Sequence, residues 1–530
     1  MRPFDTSGVF TVGPHADGLR RAAVQGAGIT LLNQIAIFTI QLVATIVVAR
    51  MIAPADYGVV TMVTTISLLL ASCGQVGFPE AIMQREEVNH QLASNLFWIN
   101  IAVSVVLSLA FAATGPLLAH FYQDQRVAYA TFGISLTIFL TNLPVLHIAL
   151  LRRAMRFTAV TSNDVIARAV SVTVALALAS RGYGYGALIV SAVALSFSTS
   201  CGAWVLCRWI PGPPRRVPGT RDSVLFAAHV FARFGTSYIT RNTDNLLVGW
   251  RFGAASMGLY KKAYDLFALS SNQILSAFPV GVSTLSRLTK SPVQYRRYFL
   301  GGLSILALIG MAASGELGLI GKDLVVLLLG PRWEATGAIL VFFAPGIGAM
   351  LIYSVHGMIH LSIGTPDRWF RWGFIELFLT VLLFLIALPW GPTGIACAWT
   401  ISYWTLIIPA FWYAGKPIGF SFRPVLAITA KYFLAAILAQ FLCTRLLRDW
   451  LLRTLSSTPS ATILRIIIEA ISFVVAYIAF AMALHRSLEP VAQLARLVPE
   501  FLPHSWSTKY EISSVTHADI VSQPMVSHEN

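Results

Sequence analysis

The sequence predicts an all-α polytopic membrane protein of about fourteen transmembrane helices, arranged as two parallel six-helix bundles followed by two further helices. Three observations predict it. Apolar stretches of membrane-spanning length recur from Gly28 to Ala483. The composition, 56% hydrophobic and 12% charged with a mean hydropathy of +0.70, lies far outside the range of soluble domains. A weak internal repeat relates the first six stretches to the next six.

A helix needs about 20 apolar residues to cross the hydrocarbon core. Residues 1–25 are polar, with Arg2, Arg20 and Arg21 and no small-residue cleavage site after an apolar core, so they are expected to be a retained cytoplasmic tail and not a signal peptide. Spans follow near 28–49, 57–79, 95–119, 128–150, 163–180 and 185–207, giving a first bundle over 26–210. The proline-rich stretch Pro211-Gly-Pro-Pro-Arg-Arg-Val-Pro218 marks a cytoplasmic linker, 211–222. A second bundle, 223–415, holds spans near 223–249, 254–284, 299–320, 335–363, 372–390 and 393–414. Two more, near 428–444 and 462–484, occupy 416–484 before a polar tail, 485–530. Within that tail, Leu488 to Val498 has the pattern of a helix lying on the inner leaflet, and the chain beyond Ser505 reads as disordered.

Charge sets the orientation. The basic clusters Arg152/Arg153/Arg156, Arg208/Arg215/Arg216/Arg221 and Arg287/Lys290/Arg296/Arg297 fall in loops on the same side as the N-terminus. The positive-inside rule then places both termini in the cytoplasm of a bacterial inner membrane. The net charge of +15 is accounted for by topology and anionic lipid, and no nucleic-acid partner is expected. The five cysteines all lie in apolar spans without C-x-x-C spacing and read as small core hydrophobes.

At an offset of 200 residues, Ala55 aligns with Ala255, Gly58 with Gly258 and Phe78-Pro79 with Phe278-Pro279. Six spans per bundle is an even number, so the two copies run parallel about an axis along the membrane normal. Such a pair leaves a cavity between its halves, the geometry of alternating access.

Four patterns then accumulate: Ala49-Arg50-x-x-x-Pro54-x-x-Tyr57-Gly58, Gly77-x-x-x-Ala81-x-x-Gln84-Arg85, Arg241-x-x-Asp244-x-Leu246-Leu247-Val248-Gly249 and Gly258-x-Tyr260-x-x-Ala263-Tyr264. Together they resemble the polysaccharide transporters of the MOP superfamily, the Wzx-type flippases of lipopolysaccharide and exopolysaccharide repeat units, over roughly residues 25–485. The resemblance implies transport of undecaprenyl-diphosphate-linked oligosaccharides across the inner membrane by alternating access, with no enzymatic activity. It also implies membrane lipids as partners, with the polysaccharide polymerase and export machinery as further candidates. The chain has no G-x-x-x-x-G-K-[ST] loop for nucleotide phosphates. No cofactor is expected beyond coupling to a proton or sodium gradient.

An ionisable side chain at the bilayer centre costs about 2.5–3.5 kcal/mol, so one that persists is expected to face a partner or a wet cavity. On the seventh span Arg233 is placed roughly 16 Å and Arg241 roughly 28 Å from the inner end, at 1.5 Å per residue. With Asp244 they share one helix face. Lys261, Lys262 and Asp265 follow on the eighth span. The repeat offset sets Asn33 against Arg233 and Gln41 against Arg241. Guanidinium suits phosphate oxygens and amides suit sugar hydroxyls, so these eight residues are the candidate substrate site. The plainer alternative is that Arg241 and Asp244 neutralise each other while the lysines snorkel. Asp164 and Arg168, at i,i+4, and the isolated Glu376 are candidates for gating or ion coupling. Arg465 and Glu469 read as a local structural pair, and Pro279 and Pro345 as bend points. His356 and His360 lack a third ligand, so no metal site is expected.

Rival readings remain open. A multidrug-type exporter shares the fold, although twelve spans would be usual for it. A membrane-embedded polymerase or glycosyltransferase would need a large outer loop or a D-x-D cluster, and neither is present.

Overall fold

A computed structural model describes residues 3–5, 8–10, 16–85, 87–215, 217–275, 278–454, 458–486 and 492. Side chains within helices are described except at 16–31, 34, 84, 233, 237, 269–275, 278–280 and 459. The tail helix expected at 488–498 lies outside the described residues, as does the disorder expected beyond 505.

The described chain is built of helices joined by turns and loops, and among the described residues its β structure is limited to two isolated bridges, Phe4 to Phe10 and Val9 to Asn89. The first half contains α1 (Ala16–Met51), α2 (Pro54–Gln75), α3 (Phe78–Gln84), α4 (His90–Ala113), α5 (Gly115–Tyr122), α6 (Arg126–Asn142), α7 (Val145–Arg153), α8 (Phe157–Ala179) and α9 (Tyr185–Cys207). The second half contains α10 (Thr220–Leu275), α11 (Phe278–Leu288), α12 (Pro292–Leu329), α13 (Glu334–Phe343), α14 (Gly346–Ser354), α15 (His356–Ser362), α16 (Pro366–Ala387) and α17 (Gly391–Gly415). The chain closes with α18 (Arg423–Leu442), α19 (Asp449–Thr454) and α20 (Pro459–His485).

Among the described residues 9 helices are long and apolar enough to cross a membrane, and up to 10 when the bent pair from α13 to α15 is one span. The remaining segments are consistent with fourteen. The apolar part of α1, Ile35–Met51, is short. The stretch Pro366–Ile418 contains both α16 and α17. The long α10 is two limbs that meet at Gly253, whose φ of 76° and ψ of −178° are not helical. Only glycine adopts that conformation without strain, so this residue lets the chain double back with no loop. Pro345 stands at a 52° bend between α13 and α14, as proline in a helical run dictates.

Local sequence sets the helix ends. Asn89 caps α4 by accepting from the Leu92 amide at 2.7 Å. Prolines occupy the first turn of α2, α12, α16, α18 and α20, where a missing amide hydrogen costs nothing. Between spans, lipid offers no hydrophobic drive, so small and polar residues carry the packing. Asn100 donates to the Asn142 carbonyl at 3.0 Å, and Asn142 to the Ala71 carbonyl at 3.1 Å, pinning α4, α6 and α2 together.

Helices α1, α2, α4, α6, α8 and α9 pack on one another, and so do α10, α12, α13, α14, α16 and α17. The two sets meet chiefly along α2 and α10. The last helices dock on α12. Here an expectation is corrected: Arg465 does not pair with Glu469 but reaches Asp323 of α12 at 3.0 Å. Arg448 donates to the same carboxylate at 2.7 Å and lies 3.9 Å from Glu469. A π-helical turn, Cys443–Arg448, rotates Arg448 inward and makes this three-helix junction the stronger charge partner. The cysteines also divide: Cys207 and Cys443 are buried, whereas Cys201 is exposed.

Candidate functional site

The polar wall of the second bundle is built where the two limbs of α10 fold together. Asp244, fully buried on the first limb, accepts from the Tyr260 hydroxyl at 2.7 Å, the Trp399 indole at 2.9 Å and the Asn245 amide at 2.8 Å. Three donors from two helices satisfy a carboxylate that would otherwise be prohibitively desolvated.

Arg241 goes the other way. Its guanidinium interacts electrostatically with Tyr264, Tyr403, Tyr353 and Glu376, contributed by the second limb of α10, α17, α14 and α16, and its side chain remains accessible. Among the described residues no carboxylate comes within 4 Å of it. The shared face expected for Arg241 and Asp244 therefore splits, and the two do not neutralise each other. One is sealed in aromatic side chains and the other is open inside the bundle.

Stacking orders the cage around Arg241. Trp399 and Tyr403 stack at 5.4 Å with planes 21° apart, and Tyr353 meets Tyr403 at 5.7 Å. The Trp372 indole fixes the Tyr353 hydroxyl at 2.9 Å. Glu376, half-buried on α16, faces this ring of phenols. The side chain of Arg233 lies outside the described residues.

The two lysines of α10 are engaged. Lys261 pairs with Asp265 at 2.6 Å, and Lys262 is buried with its ammonium 4.1 Å from the centre of the Tyr57 ring. Lys262 therefore does not snorkel; it is held under an aromatic of the other bundle.

In the first bundle both candidate amides are bonded within the bundle. Asn33 donates to Thr161 at 2.9 Å and to Ser162 at 3.3 Å on α8. Gln41 accepts from Arg168 at 2.9 Å. Asp164 and Arg168 form no ion pair; both line a cavity of about 280 Å³ with Gln75, Arg152 and Ser196. Among the described residues no group of three His, Cys, Asp or Glu is placed to hold a metal.

At the end bearing the α1–α2 turn, outside on the charge-based orientation, the bundles interlock. A Cβ on Gly58 would collide with the Ala254 carbonyl, and a Cβ on Gly258 with the Pro54 carbonyl. The contact is reciprocal at the repeat offset, 58 on 254 and 258 on 54, so the repeat units meet about a pseudo-two-fold axis. Latches surround it. Arg50 binds the Leu328 carbonyl at 2.8 Å and the Leu327 carbonyl beside it, Trp333 donates to the Ala49 carbonyl at 2.8 Å, and Tyr57 packs edge-on to Trp333 at 5.4 Å. The α2–α10 seam stays closed along its length, through the Tyr238 hydroxyl on the Thr65 carbonyl at 2.8 Å and Gly77 against Ala227. Between α1 and the second limb of α10 no comparable contact forms among the described residues.

Sequence reasoning missed Tyr353, Trp372, Trp399 and Tyr403, since aromatics in apolar spans carry no periodic signal. It also used Arg50, Tyr57 and Gly58 only as a pattern, although their place opposite Gly258 in the repeat pointed to a contact.

Two bundles that meet along the α2–α10 seam and interlock at one end, with an accessible charge inside one of them, define a multi-pass membrane protein whose fold is that of solved MOP-superfamily transporters. The fold agrees with that of the lipid II flippase MurJ in an inward closed conformation, with a TM-score of 0.67 at 14% identity over 86% of this chain and 99% of that one. The chain belongs to the family described as polysaccharide biosynthesis protein, whose family model matches residues 47–337. It is 23% identical to the teichuronic acid biosynthesis protein TuaB of Bacillus subtilis, over 62% of this chain and 68% of that protein. It is also 20% identical to the succinoglycan biosynthesis transport protein ExoT of Rhizobium meliloti, over 68% and 73%.

Proposed function

We infer that this protein is a flippase, a transporter and not an enzyme, that moves lipid-linked oligosaccharide repeat units across the bacterial inner membrane for polysaccharide biosynthesis. Family membership supports the pathway, and the names of the relatives support transport of a polysaccharide precursor. The single observation that carries the mechanism is Arg241, an accessible guanidinium inside a membrane-spanning bundle with no carboxylate bound to it among the described residues. A diphosphate is the anion that fits it, because the guanidinium fork matches phosphate oxygens and the surrounding phenols can donate to both phosphate and sugar hydroxyls.

In this reading the carrier is undecaprenyl diphosphate. Its polyprenyl chain stays in lipid and passes through the seam between α1 and the second limb of α10, where few contacts form among the described residues, while the head group enters between the bundles. The bundles over 26–210 and 223–415 rock about the α2–α10 seam. The Gly58–Gly258 contact is the outer gate, closed here, and its release opens the cavity outward. Glu376, beside Arg241, is the group placed to couple a proton or sodium ion to that change, with Asp164 and Arg168 as a second candidate pair. Both termini face the cytoplasm, and the polymerase receives the unit on the far side.

Deleting the gene tests the function. Sugars of the lipid-linked unit are expected to become inaccessible to an impermeant probe applied from outside, with polymer lost. A unit that fails to assemble, or that reaches the outer leaflet unpolymerised, would replace transport by an enzymatic role.

A further inference from the structure

A cavity of about 1030 Å³ opens beside the linker between the bundles, walled by α4, the linker itself and the start of α10. That volume lies at the upper end of the range for ligand pockets. Its walls are apolar, with Trp98 and Ile99 on α4 facing Val224 and Leu225 on α10. Its mouth carries Arg215 and Arg221. Both arginine side chains are exposed, and neither makes a side-chain hydrogen bond or an ion pair among the described residues; Asp222, the nearest acid in sequence, is itself exposed and does not pair with either.

The groove is built, not incidental. Buried Asn95 grips the backbone of Arg215 from both sides, its Oδ1 accepting from the Arg215 amide at 2.9 Å and its Nδ2 donating to the Arg215 carbonyl. Trp98 donates to the Gly212 carbonyl at 2.8 Å, and Ser94 accepts from the Gly212 amide at 2.9 Å. These bonds hold the proline-rich linker against α4 and fix where Arg215 emerges.

We propose that this groove binds an anionic glycerophospholipid of the cytoplasmic leaflet, its phosphate at Arg215 and Arg221 and its acyl chains along Trp98, Ile99, Val224 and Leu225. The combination fits that ligand and few others: two exposed guanidinium groups without partners among the described residues beside an exposed apolar trough, on the face that carries the positive charge. A bound lipid bridges the first bundle, through α4, to the first helix of the second. Membrane composition thereby acts on the joint about which the bundles move.

The test is native mass spectrometry of the full-length protein in detergent, titrated with phosphatidylglycerol or phosphatidylcholine. Wild type is expected to retain one phosphatidylglycerol in clear preference to phosphatidylcholine. Arg215→Gln with Arg221→Gln is expected to weaken phosphatidylglycerol roughly 30-fold, as two cations near an anionic surface predict. Ala102→Trp, which fills the trough at an exposed position and leaves the charge untouched, is expected to weaken it as well. Unchanged binding by both variants, equal binding of the two lipids, or displacement by inorganic phosphate or by a polyprenyl diphosphate would overturn the proposal. The readout is binding and not transport, so it stands or falls apart from the flippase function.

Discussion

Gln41 and Arg241 occupy equivalent places in the two repeats, yet the amide is bonded within its own bundle while the guanidinium is left open to water. Gln41 accepts from Arg168, and its neighbour one turn-pair away, Asn33, is bonded to α8. Arg241 is surrounded by phenols and one glutamate and held by none of them within ion-pair distance. The first wall has spent its polar groups on cohesion, which in lipid is the main glue between helices. The second wall holds one in reserve for a ligand, and its cohesion comes instead from Asp244 and stacked aromatics.

Making the walls alike is the sharpest way to break this comparison. Arg241→Gln is expected to reduce flipping about 10- to 100-fold, the loss of a charge-assisted contact of about 1.5–3 kcal/mol, with the protein still inserted; Gln41→Leu should leave most activity. Wild-type polymer export by the arginine variant would remove the asymmetry altogether. Next in size is the contact the two repeats share. Gly58→Val forces α2 off the Ala254 carbonyl, an overpacking cost of about 1–3 kcal/mol, so the outer gate should stay open and transport fall about tenfold. Labelling of Tyr264→Cys from outside by an impermeant thiol reagent, in a background without the native cysteines, should rise in parallel; unchanged labelling would refute the gate.

Smaller effects distinguish cohesion from function. Trp399→Phe removes one donor to buried Asp244 and is expected to cost about 1–3 kcal/mol, read as a lower thermal midpoint in detergent. The Asn33→Ala change should cost less, since Asn33 is only half-buried. The smallest effect lies outside the membrane. The Arg126 side chain, bonded to Asp124 at 2.8 Å, holds that carboxyl below its ordinary range. A depressed folded pKa stabilises at pH above the unfolded value and is lost as pH falls through the folded one. Asp124→Asn should therefore lower stability slightly at neutral pH, by under about 1 kcal/mol for a partly exposed pair, with the difference vanishing as pH falls through the lowered folded pKa. A larger neutral-pH loss would mean that this loop helps close the outer end.

Much of the architecture was legible in one dimension because the bilayer makes it so: every span must be long, apolar and helical to satisfy its backbone. Gly253 was readable only as the gap between two spans. That it turns the chain without a loop depends on one positive φ. The candidate site was half legible. Arg241, Asp244 and Glu376 stood out as charges in apolar runs, but charge in a sequence does not say which way a side chain turns. The partners that decided it look like any core aromatic: Tyr260 reaches Asp244 only because α10 folds back at Gly253, and Trp399, Tyr353 and Tyr403 come from helices far apart in the chain. The same reason misassigned Arg465: its i,i+4 neighbour was visible, and Asp323 on α12 was not.

The sequence by itself determined the membrane class, the order of the helices, the basic face and the family, since each follows from composition and local pattern. Only the tertiary structure decided that Gly58 and Gly258 meet reciprocally, that Asp244 is sealed and Arg241 open, and that the linker lies over a lipid-sized groove. Those outcomes rest on which helices come within hydrogen-bond reach of one another, and that is fixed by the packing of the whole bundle.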